Sequence, residues 1–116
     1  HFIKTIRKAD LNIVTAEWVG WGHRTDTAKA TRVRTILAAT DPVSLDYYAA
    51  KYLVYPLSGN KIHNPDDTGS PIRHYLDLAV DAIGDAPLPR RSFEVYNYSF
   101  SSGRKDHVVE KLDYGA

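Results

Sequence analysis

The stretch Thr40-Asp41-Pro42-Val43-Ser44-Leu45-Asp46, preceded by the apolar run Val33-Arg34-Thr35-Ile36-Leu37-Ala38-Ala39, decides how this chain is read. The run is rich in branched residues and ends at a turn signal, so it reads as a buried β-strand. Asp41 or Thr40 then caps a helix that opens on Pro42, where a missing N–H costs nothing because first-turn donors have no intrahelical acceptor. The pattern predicts helix to about Val54, stopping before Tyr55-Pro56 because a residue preceding proline avoids the helical region. Val43, Tyr47, Ala50 and Val54 form one face of it, and Leu45, Ala49, Tyr52 and Leu53 fill most of another. A helix apolar nearly all round lies inside a structure. Strand, acidic cap, proline and helix make one α/β corner on which the rest packs.

Upstream, Phe2, Ile3 and Ile6 have the spacing of the last turns of a helix, and LNIVTAEW (residues 11–18) reads as a strand. Residues 19–32 (VGWGHRTDTAKATR) read as one long loop, and loops of that length are usually functional. Downstream, residues 55–69 form a second loop rich in proline, glycine, asparagine and aspartate. Ser70 then caps a helix opening on Pro71, with Ile72, Leu76, Ala79 and Ile83 on its apolar face and Gly84 as its stop. Arg73, His74, Asp77 and Asp81 fall largely on the outer face. Residues 87–91 (PLPRR) are an extended connector, and FEVYNYSF (93–100) alternates as a strand with an aromatic face. Ser101-Ser102-Gly103 turns it, before a short element carrying Val108, Val109 and Leu112. This order predicts a single α/β domain over residues 1–116, of two or three layers with a mostly parallel sheet and incomplete at its N-terminus.

The 116 residues carry a net charge of +1, which provides no global field for nucleic acid or acidic membranes. The absence of cysteine excludes disulfides, thiolate zinc sites and a cysteine-ligated cluster within this segment. No apolar run reaches the roughly 18–20 residues of a membrane helix, so a soluble chain is expected. The chain has no methionine and opens on His1-Phe2-Ile3, which points to a fragment or processed subunit.

Asp10-Leu11-Asn12-Ile13-Val14, the following loop and Ile36-Leu37-Ala38-Ala39-Thr40-Asp41-Pro42-Val43-Ser44-Leu45-Asp46 resemble the domain of unknown function 362 family. Asn64-Pro65-Asp66 and Ser70-Pro71-Ile72-Arg73-His74-Tyr75-Leu76 resemble its C-terminal part. The resemblance spans roughly residues 9–84. Family members often have alanine where Ser44 stands, a glycine-rich loop where this chain has Trp21-Gly22-His23-Arg24-Thr25-Asp26, and additional N-terminal sequence. Some carry ferredoxin-like cysteine motifs. The resemblance therefore implies the C-terminal part of a larger domain, with any iron–sulfur role supplied from outside this segment.

Candidate chemistry gathers at two places. Asp41 is first a helix cap, but its corner at the end of a strand is also where α/β folds place ligands. Asp46, one turn into an apolar helix, requires a partner, since an unpaired buried carboxylate is expensive. That partner is a cation such as Arg32, Arg34 or Lys51, a metal, or backbone donors. His23, Arg24 and Asp26 form the polar tip of the long loop, with Glu17 ending the strand before it. Asp41, Asp46 and His23 are the catalytic candidates, and Glu17, Trp21, His23 and Asp26 the ligand-binding ones. His23 with Asp26 and His63 with Asp66 are the metal candidates, without the spacing of a known ligand set. A solvated loop explains the first pair, and turn chemistry the second.

Two readings follow. In one, the chain belongs to a redox-associated, metal-binding or small-molecule-binding enzyme domain, its site completed by missing N-terminal sequence or another subunit. In the other, it is a non-catalytic interaction subunit that docks through surfaces rich in its eight tyrosines.

Overall fold

The computed structural model describes residues 5–83, 92–98 and 107–113. Strands β1 (Asn12–Gly20) and β2 (Ala30–Ala39) form an antiparallel hairpin. Helix α1 (Pro42–Ala49) continues through a π-helical segment (Ala50–Val54) into the short α2 (Tyr55–Ser58), and α3 (Pro71–Ile83) follows. Strands β3 (Ser92–Tyr98) and β4 (His107–Asp113) make a second antiparallel pair.

The mostly parallel sheet expected from the element order is overturned: both sheets are two-stranded and antiparallel. Parallel neighbours need a crossover of about a dozen residues or more. The expected loop over 19–32 would have sufficed, but Val19 pairs with Thr31 and Gly20 with Ala30, leaving only residues 21–29 as connection. The strands consumed the loop and folded back on each other. Helices lie against one face of the hairpin, an α+β arrangement.

Nor is β2 a buried strand. Val33, Thr35, Leu37 and Ala39 are half-buried, whereas Arg34, Ile36 and Ala38 are exposed. Pairing shifts register between Ala16 opposite Thr35 and Trp18 opposite Arg32, so Val33 and Arg34 together oppose Glu17. Arg34 adopts φ +47°, the backbone signature of a bulge that bends the ladder.

Helix α1 starts as the sequence predicts. Asp41 accepts from the Val43 and Ser44 amides at 3.3 and 3.0 Å, and the Ser44 hydroxyl also donates to it. Its predicted end is wrong, because the helical path runs on past Pro56 to Ser58. Within an α-helix the proline ring would strike the carbonyl four residues back. The wider π turn just before it, with the Tyr55 amide bonded to the Ala50 carbonyl, relieves that clash. Gly59, at φ +61°, ends the path as a left-handed cap.

Ser70 caps α3 by accepting from the Arg73 amide at 3.1 Å while donating to the Asn64 carbonyl at 2.6 Å. The core joins Val43 and Tyr47 of α1 to Leu76 and Val80 of α3, with Ala79 and Ile83 packed against it. Arg73, expected on the outer face, is buried: its guanidinium donates to the Pro65 carbonyl at 3.3 Å and to Asp77 at 3.0 Å. Among the described residues no helix is long and apolar enough to cross a membrane. The readings at residues 1–4, the Gly84 stop, the connector at 87–91, the turn at 101–103 and Phe100 lie outside the described residues.

Candidate functional site

At the α1 corner, Asp41 is engaged as a cap, which holds its carboxylate on the helix end. Asp46 is the clearer departure. It is exposed and only partly desolvated, so full burial does not demand a partner, and none of Arg32, Arg34 and Lys51 bonds to it. Partial desolvation still raises its carboxyl pKa. Among the described residues its side chain has no hydrogen-bond or ion-pair partner.

The loop over 21–29 is organised by its own short-range bonds. The Trp21 amide donates to the Lys29 carbonyl at 3.0 Å, closing the loop at its base. His23 Nδ1 lies 2.8 Å from the Thr25 hydroxyl, and Asp26 caps the 3-10 turn Thr27–Lys29 by accepting from the Ala28 amide at 3.1 Å. Glu17 pairs with Arg32 at 2.5 Å across the hairpin. His23 and Arg24 remain exposed at the tip, and Trp21 is half-buried.

The side chains of the two metal-candidate pairs bond to other neighbours, His23 to Thr25 and Asp26 to the Ala28 amide in the first. His63 Nδ1 lies 2.8 Å from the Ser58 hydroxyl, while Asp66 turns towards α1. Among the described residues no three His, Cys, Asp or Glu side chains come together as a metal-binding group. The chain also lacks the thiolates an iron–sulfur cluster would need.

Asp66 instead completes a cluster that the sequence reading missed. The Tyr47 hydroxyl donates to Asp66, Lys51 Nζ lies 2.9 Å from the other carboxylate oxygen, and Lys51 donates to the Tyr47 hydroxyl at 3.2 Å. Burial and then the Asp66 bond raise the Tyr47 phenol pKa. For Lys51, burial pulls the ammonium down, but its bonds to Asp66 and Tyr47 prevail and the pKa is raised. Tyr47 is 0% exposed, whereas the Lys51 and Asp66 side chains keep 23% and 22% of their surface in solvent. It ties the 55–70 loop to α1. Tyr47 and Lys51 stand one turn apart, a visible signal, but nothing local reveals Asp66 as their partner.

The outer face of the β1–β2 hairpin carries exposed apolar side chains. Leu11 and Ile13 lie at one end, Ile36 is 73% exposed at the centre, and Trp18 is 61% exposed beyond the bulge. Each strand has one ladder edge unpaired within this sheet. Among the described residues Arg34 forms no ion pair on this face. Elsewhere, Tyr96 and Tyr98 on β3 are exposed, in keeping with the aromatic face predicted there.

Among the described residues, fold and surface together define a small α+β chain whose β1–β2 hairpin is covered by helices on one face. No family model matches the chain, and neither the curated proteins nor the solved structures contain a match.

Proposed function

We propose that this chain is an interaction subunit, or a section of a larger protein similar to the domain of unknown function 362 family. Another polypeptide segment covers the outer face of its β1–β2 hairpin. The observation that carries this reading is the apolar row of Ile13, Ile36 and Trp18 left in solvent beside open strand edges. A two-stranded sheet is marginal until a third strand or a packed layer supports it. Helices supply that support on one face only. The partner that fits is an extended segment with alternating apolar side chains, which adds to an edge by main-chain bonds, and with a carboxylate to meet Arg34.

Hydroxyl-radical footprinting tests this in the natural protein isolated from its source, alongside the 116-residue chain alone. Protection of Trp18 and Ile36 in the natural protein is the expected result. Equal labelling in both samples would overturn the proposal.

A second reading is favoured by the exposed carboxylate of Asp46, without a bonded partner among the described residues, together with His23 and Arg24 on an exposed loop. Here the added polypeptide completes a small-molecule or metal site. Mn²⁺ calorimetry on the natural protein is its test: Asp46→Asn then abolishes binding without lowering the melting temperature. Binding that survives the substitution would end this reading.

A further inference from the structure

Helix α3 has a second apolar stripe, away from the one it buries in the core. Pro71, Tyr75, Leu78 and Ala82 follow one another at spacings of four, three and four residues, and all are exposed. Tyr75 is 72% and Leu78 51% exposed. That spacing is the seam of a helix pair, in which side chains of one helix fill gaps in another. Single exposed apolar residues are ordinary, whereas four in seam register on one helix are a surface.

We propose that this stripe pairs with the same stripe of a second copy of the chain, the two α3 helices running antiparallel about a two-fold axis. The charges beside the seam select this occupant. With Tyr75 of one copy at the level of Leu78 in the other, Pro71 falls opposite Ala82. Helical side chains lean towards their own N-terminus, by about one residue's rise. That lean brings His74 of each copy level with Asp81 of the other, so the two-fold axis creates two donor–carboxylate contacts. Both residues are exposed and flank the stripe on the same side. In a parallel pair the two-fold axis would instead carry this flank of the second copy to the opposite side of the seam, where His74 and Asp81 do not meet. The helix has 13 residues, roughly 20 Å of seam, so the contact is small and the dimer exchanges with monomer.

Sedimentation velocity of the whole chain over a concentration series tests this, with circular dichroism as a check on folding. The expected result is a reversible monomer–dimer equilibrium in which Leu78→Glu raises Kd at least about tenfold and leaves the helix signal intact. Asp81→Lys and His74→Asp each weaken the dimer, and the double variant, which exchanges the two charges, restores it. A chain that stays monomeric throughout would overturn the proposal. So would a dimer dissociated by Ile36→Lys on the sheet but untouched by Leu78→Glu, and so would failure of the double variant to recover.

Discussion

Asp41 shows how much one side chain can contribute to the placing of an element. Its carboxylate meets the amides of Val43 and Ser44 and the Ser44 hydroxyl, and it sits at the positive end of the helix. Asp41→Ala should therefore destabilise the chain by about 0.5–2 kcal/mol, read from urea unfolding. Ser44→Ala should cost less, because both amides keep their acceptor. Tyr47, Lys51 and Asp66 act over a longer distance. Both Tyr47 and Lys51 hold their protons more tightly when folded than when unfolded. Their contribution is accordingly complete below the unfolded values, near pH 10, and is lost as pH rises through the folded ones. Stability measured between pH 9 and 12 should fall more steeply in the native chain than in Tyr47→Phe, which lacks one of the two groups.

At the scale of elements, two residues with positive φ make a matched pair. Arg34 sits at +47° in the β2 bulge, and Gly59 at +61° closes the helical path. A side chain in the left-handed region costs roughly 1–2 kcal/mol, whereas glycine accepts it freely but is more flexible when unfolded. Gly59→Ala should thus destabilise by about 1 kcal/mol. The effect is conformational, since an added Cβ there would meet nothing within 4 Å. Arg34→Gly should do the opposite and raise the melting temperature slightly; a fall would show that the arginine side chain contributes more than its backbone strain costs. The π segment belongs to the same scale. Sequence reasoning placed a helix stop at Tyr55-Pro56, but a wider turn allowed the chain to keep its direction through the proline.

Among the described residues, the hairpin's outer face and the outer stripe of α3 are apolar surfaces that the core between α1 and α3 leaves uncovered. Covering either would remove apolar area from water, which favours association. Ile36→Lys should reduce binding of a hydrophobic dye by the isolated chain without lowering its melting temperature, because that side chain packs on little. A melting temperature lowered by several degrees would mean that the face is already covered.

The sequence by itself determined the features that depend on neighbours a few residues apart. These were the Asp41-Pro42 and Ser70-Pro71 helix starts, the apolar face of α3, the β1 strand and the alternating strand of β3. Caps and helical faces are local, so their signals lie within one or two turns. Only the tertiary structure decided the direction of strand pairing, the exposure of Asp46, the burial of Arg73 and the meeting of Asp66 with Tyr47 and Lys51. Strand direction was lost because residues 19–20 and 30–32, next to a polar, glycine-containing stretch, read as loop until a partner strand supplied their hydrogen bonds. Asp46 and Arg73 were misjudged because periodicity shows which residues share a face, but not which face another element will cover. That choice belongs to contacts between distant parts of the chain, and burial, charge pairing and sheet register all follow from it.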